Sequence, residues 1–137
     1  MLVEPLPGAP TDCLRDWLAE SDKSWDAMHR ALADGELTWN GGEYPLNHVV
    51  LGGELLYSEA DYIMSLKSAA QVRDIAPAAA AVTEPEFRRR YFAIGRSYEF
   101  GTREDDCLYT WDYFQEVRKL YSRAAAAGRP VLFTADQ

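Results

Sequence analysis

A chain of 137 residues with 47% apolar and 12% aromatic side chains has enough hydrophobic surface for one filled core and is too apolar to stay disordered. Its 22 acidic against 14 basic residues give a formal charge of -8, which repels a phosphate backbone and excludes nonspecific nucleic-acid binding. Among protein partners, the same charge favours one with a basic surface.

Lysine occurs only at Lys23, Lys67 and Lys119, whereas arginine and alanine abound, which we read as the bias of a GC-rich bacterial genome. Cys13 and Cys107 have no second thiol or histidine at metal-ligand spacing, so they read as free thiols of a reducing cytosol. The start, Met1-Leu2-Val3-Glu4-Pro5-Leu6-Pro7, lacks the basic and continuous apolar parts of a signal peptide. No apolar run approaches the ~18–20 residues that cross a bilayer. The expectation is a cytoplasmic protein with no membrane partner.

Residues 1–10 hold three of the seven prolines and read as an extended lead-in to a single domain over 11–137. Thr11 or Asp12 caps a short helix over 13–20, with Leu14, Trp17 and Leu18 on one side. Asp22 or Ser24 caps a second helix to about Ala33, apolar on Trp25, Met28, Ala31 and Leu32 and stopped by Asp34-Gly35. Trp39-Asn40-Gly41-Gly42 is a turn, and Val49-Val50-Leu51 reads as a short buried strand closed by Gly52-Gly53.

Residues 62–66 read as the next strand. Ser68-Ala69-Ala70-Gln71 is a capping box opening a helix to about Ala80, with Val72, Ile75 and Ala79 inward. Thr83-Glu84-Pro85-Glu86 is a second capping box, and its helix carries Phe87, Arg88-Arg89-Arg90 and Tyr91. After a glycine-bounded loop over 95–101, Thr102 caps the longest helix, to about Ala127, with Leu108, Trp111, Phe114 or Gln115, Arg118, and Tyr121 or Ser122 along one aromatic-rich side. Gly128 and Pro130 end it, and 131–134 reads as the last strand. The sum is α+β: four or five helices packed on a small sheet, with a long aromatic-rich C-terminal helix followed by a last strand.

Several motifs carry a family resemblance. They are Lys23-Ser24-Trp25-Asp26-Ala27-Met28-His29 with Leu32, then Pro45-Leu46-Asn47-His48-Val49-Val50-Leu51-Gly52-Gly53, Gln71-Val72, and Glu86-Phe87-Arg88-Arg89-Arg90-Tyr91-Phe92. The chain ends with Tyr121, Ala124-Ala125, Gly128 and Val131-Leu132-Phe133 in matching order. Over residues 13–134 the sequence resembles the YfbM-like family, small bacterial proteins grouped as a domain of unknown function. The resemblance implies an α+β domain and brings no established chemistry. Family members begin with a strand ahead of the first helix. The prolines of residues 2–10 cannot supply a central one, so a bare sheet edge is expected.

Two constellations could form a site. Trp25, Asp26, His29, Asn47 and His48 could line a small-molecule pocket between the helix holding Trp25 and His29 and the loop over 45–53, with Asp26 at i−3 orienting the imidazole. Two histidines nineteen residues apart are not a metal spacing, so no metal is expected; the favoured role is structural, His29 and Asp26 bonding the loop at Asn47-His48. Glu104, Asp105, Asp106, Tyr109, Asp112 and Tyr113 form an acidic-aromatic face suited to protein docking. The three arginines at 88–90 fan over about 200° of helix surface and make no single patch. Gly52-Gly53 lacks the Lys-Ser/Thr of a phosphate loop, no serine stands in a nucleophile elbow, and neither cysteine has a nucleophile's context.

The sequence therefore points to no catalytic residue and no cofactor. The leading expectation is a non-enzymatic acidic protein-binding domain, of the kind that antagonises a toxin or effector as an immunity protein does. The alternatives are a small-molecule-binding protein or minor enzyme using the Trp25–His48 pocket, and a homodimer built on the sheet edge or the aromatic helix.

Overall fold

The computed structural model describes residues 2–3, 19, 22–59 and 62–136. The helix expected over 13–20, with Cys13, lies outside the described residues. The elements are β1 (Leu2–Val3), α1 (Trp25–Leu32), β2 (Glu54–Glu59), β3 (Tyr62–Lys67), α2 (Ala69–Ala80), α3 (Glu84–Phe92), α4 (Glu104–Ala127) and β4 (Val131–Asp136), with single 3-10 turns at Asp22–Ser24 and Leu46–His48. The class is α+β, as the sequence indicates. All strand pairs are antiparallel, in the order β1-β4-β3-β2.

Local chemistry explains the best-read elements. Ser68 Oγ accepts from the Gln71 amide at 3.1 Å while the Gln71 side chain accepts from the Ser68 amide at 2.9 Å, so the capping box of α2 is complete. Val72, Ile75 and Ala79 of α2 are buried and pack toward Phe114, Val117, Tyr121 and Ala124 of α4. Phe87 of α3 stacks on Phe114, with ring centroids 5.6 Å apart. Gly128, at φ 67°, ends α4 in the left-handed conformation that glycine tolerates best.

Five expectations are corrected. The leading strand is present: Leu2 pairs with Leu132 and Val3 with Val131, at an edge and ahead of the first proline. Val49-Val50-Leu51 is buried but is not a strand, since side chains rather than a neighbouring strand take its carbonyls. A further strand, β2, runs over Glu54–Glu59, where every residue is exposed and no apolar alternation marks it. Thr102 does not cap α4; Arg103 holds that place without a side-chain bond. The inward side of α4 is Cys107, Thr110, Phe114, Val117, Leu120, Tyr121 and Ala124, which leaves Leu108 exposed and Trp111 only half-buried.

Candidate functional site

The histidine segment folds into the interior. In α1, Ala27, Met28, Ala31 and Leu32 are buried, and the helix carries His29 in with them. The His29 Nε2–H donates to the Thr38 carbonyl at 2.6 Å, while Nδ1 has no partner among the described residues. Burial lowers the imidazole's pKa, against the raising effect of the Thr38 bond. Asp26 does not orient His29. It accepts from Arg30 Nε at 2.5 Å, and Arg30 also reaches Ser97 at 2.7 Å. His48 Nδ1 bonds Asn47 Oδ1 at 2.7 Å, and Asn47 donates to the Asn40 carbonyl at 3.5 Å. Trp25 is half-buried against Phe133. These residues are thus tied to separate partners, and the loop that His29 bonds is at Thr38 rather than at 47–48.

His29→Ala should cost about 1–3 kcal/mol at pH 8, because it strips the Thr38 carbonyl of its donor. The folded pKa lies below 6.5, so the unfolded state binds the extra proton as pH falls through 6.5 and the wild type loses stability there. Urea titrations should therefore show the gap between wild type and variant narrowing from pH 8 to pH 5. A pH-independent gap would mean that folding does not lower the imidazole's pKa.

Sequence reasoning missed a polar group in the core. Lys67 is fully buried, with Nζ donating to the Val50 carbonyl and, at 2.7 Å, to Ser65 Oγ. The Tyr121 hydroxyl donates to the Val49 carbonyl at 2.6 Å. The missed signal is the lysine at the inward phase of a strand whose Ser65 is buried too.

The acidic face of α4 is largely spoken for. Arg88 donates to both oxygens of Glu104, at 2.5 and 2.7 Å, and Arg103 to Asp105 at 3.2 Å. Those contacts hold both carboxylates below their usual pKa. Asp106 is half-buried, and its Oδ2 accepts from the Tyr91 hydroxyl at 2.6 Å and the Tyr98 hydroxyl at 2.7 Å. Tyr109 and Tyr113 form an edge-on pair at 4.9 Å, and Asp112 is exposed. Asp106 is therefore part of the framework and not a free carboxylate of the acidic face.

Two open features remain. Leu55, Leu56 and Tyr57 on β2, the terminal strand of the sheet among the described residues, are 51%, 46% and 47% exposed. A cavity of about 580 Å³ lies at the C-terminal end of α1, bounded by Gly42–Leu46 and by α3, and none of Trp25, Asp26, His29, Asn47 and His48 lines it. Among the described residues no three His, Cys, Asp or Glu side chains are grouped to hold a metal ion, and no helix is long and apolar enough to cross a membrane.

Fold and surface together define the class, an α+β domain in which a long C-terminal helix leads into the last strand of an antiparallel sheet. The chain belongs to the family described as Domain of unknown function (DUF1877), which matches residues 7–134. No curated protein and no solved structure matches the chain.

Proposed function

We propose that this is an acidic protein-binding domain that captures an extended, basic-flanked segment of another protein on the outer edge of β2. It would act in the bacterial cytoplasm as a YfbM-like member of its family, and an immunity-type antagonist of a basic toxin or effector is the role this chemistry fits. The single observation carrying the reading is the edge itself. Glu54-Leu55-Leu56-Tyr57-Ser58-Glu59 presents three large apolar side chains to solvent between two exposed carboxylates. An edge that pairs with no further strand among the described residues offers backbone donors and acceptors to an added strand, and pockets between side chains give selectivity.

Charge favours a foreign strand over a second copy. Antiparallel self-pairing of β2 about its centre would set Glu54 against Glu59 twice, and like charges directly opposite destabilise a strand pair. Lysine or arginine at both ends of the incoming strand removes that repulsion. The half-buried Tyr109 and Tyr113 with the exposed Asp112 contribute a second face, with less electrostatic pull because Arg88 and Arg103 already neutralise Glu104 and Asp105.

The test uses two labelled peptides with one valine-isoleucine core, flanked either by lysines or by glutamates. Anisotropy should show the lysine-flanked peptide binding at least about tenfold tighter, a difference of about 1.4 kcal/mol. The preference should shrink toward 1 M salt, where the Debye length falls to ~3 Å. Leu55→Lys with Tyr57→Lys should abolish binding without lowering the melting temperature by more than a few degrees. Equal affinity for the two peptides, or full binding by the double variant, refutes the edge as the docking site.

A further inference from the structure

We propose that the cavity at the C-terminal end of α1 binds a small zwitterion, a molecule with a cationic amine and a carboxylate joined by an apolar stem. Its volume of about 580 Å³ falls inside the ~300–1,000 Å³ range of small-molecule sites. What sets the ligand class is that its two walls differ in charge.

Asp34 and Glu43 belong to the first wall. Gly42, at φ 85°, approaches the end of α1 so closely that an added Cβ would lie 2.7 Å from the Ala33 Cα; Asp34, whose Oδ1 accepts from the Glu36 amide at 3.2 Å, and Glu43 both line the cavity. Neither carboxylate forms an ion pair among the described residues. Arg89 and Arg90 of α3 form the second wall. One oxygen of Glu86 serves both, 3.8 Å from Arg89 and 3.3 Å from Arg90, so a positive charge is left unmatched there. Leu32 and Leu46 line the space with apolar surface.

The loop that forms the first wall is anchored before any ligand arrives. The Tyr44 hydroxyl donates to Asp74 of α2 at 2.7 Å, and that bond pushes the phenol's pKa up to about 12. A fixed wall spares a ligand the entropy of ordering it. A lone cation entering the cavity is attracted by Asp34 and Glu43 but repelled by the arginines. A lone anion meets the reverse. Only a molecule carrying both charges satisfies both walls, and the planar guanidinium forks suit its carboxylate.

The test is a two-dimensional NMR titration with 6-aminohexanoate as the probe and hexylamine and hexanoate as single-charge controls, read at the Gly42 and Glu43 amides. The probe should bind at least about tenfold tighter than either control. Glu43→Gln should weaken the probe and hexylamine about tenfold without weakening hexanoate, whose repulsion it relieves, while Arg89→Gln should weaken the probe and hexanoate without weakening hexylamine. Both positions are exposed, so unchanged melting temperatures would show the variants folded. The proposal is overturned if about 20 mM probe leaves those amides unshifted, since even a ~5 mM dissociation constant would then fill most sites. Hexylamine binding as tightly as the probe, or both variants binding it like wild type, would overturn it equally.

Discussion

Replacing Lys67 with methionine should leave the protein at least as stable as wild type at pH 7 and should flatten the rise of its stability with pH. The amine is fully buried, and its partners are neutral: the Val50 carbonyl, Ser65 Oγ, and the Phe133 ring 5.4 Å from Nζ. No carboxylate forms an ion pair with it among the described residues. A neutral amine has two N–H donors, and both are used. Charging it there would bury an uncompensated ion, so burial lowers its pKa well below the usual lysine value.

The sign follows from which state holds the proton. Below 10.5 the unfolded lysine is protonated, while the folded one stays neutral down to its own lowered pKa. Stability therefore climbs with pH between those limits, by at most about 1.4 kcal/mol per pH unit for one proton. Methionine removes the titration and keeps most of the volume. Ser65 Oγ, already 3.4 Å from the Val50 carbonyl, can donate to it in the lysine's place. Denaturant midpoints of both proteins from pH 7 to 9.5 decide the matter, because thiols and tyrosines titrate alike in the two and cancel in the difference. Parallel curves would show Lys67 charged in the fold.

What the sequence made legible follows the range of the interactions involved. The helix α2 was readable to the residue because Ser68 and Gln71, three positions apart, satisfy each other's backbone. The 49–51 run was misread because a β-branched apolar run signals burial, not backbone geometry. What takes its carbonyls is Tyr121, 72 residues from Val49, and Lys67, 17 from Val50. The strand β2 escaped because an exposed edge needs no alternation. On α4 the pair Tyr109 and Tyr113 lies on a different side from Trp111 and all three are half-buried, so their count could not fix which side is inward.

The same limit applies to the candidate sites. Asp105 and Asp106 are chemically identical neighbours in sequence, and only the fold makes one an exposed partner of Arg103 and the other a support for two tyrosines. The cavity draws its charges from Asp34, Glu43 and the 89–90 pair, which no local motif joins.

Asp106→Ala should be among the most damaging single changes in the chain, at about 3–5 kcal/mol, since it strands two buried hydroxyls that share one charged acceptor. Tyr91 is fully buried and Tyr98 is 7% exposed, so both hydroxyls depend on the half-buried carboxylate as their acceptor. The Tyr91 hydroxyl also accepts from the Arg103 amide at 3.0 Å, so the cluster joins α3, the loop over 95–103 and the first turn of α4. A carboxylate in that turn further favours the positive end of the helix dipole, by about 0.3–1 kcal/mol. Asp106→Asn keeps one acceptor oxygen and the shape, and should cost about 1–2 kcal/mol. Burial, together with the bond to Asp106, raises the pKa of both phenols, so the cluster stays protonated on its tyrosines across the neutral range. The discriminating measurement is a cycle in which Asp106→Ala is repeated in a Tyr91→Phe, Tyr98→Phe background. With the stranded hydroxyls gone, its cost should fall to about 1 kcal/mol, whereas an equal cost in both backgrounds would assign the loss to the helix terminus and not to the tyrosines.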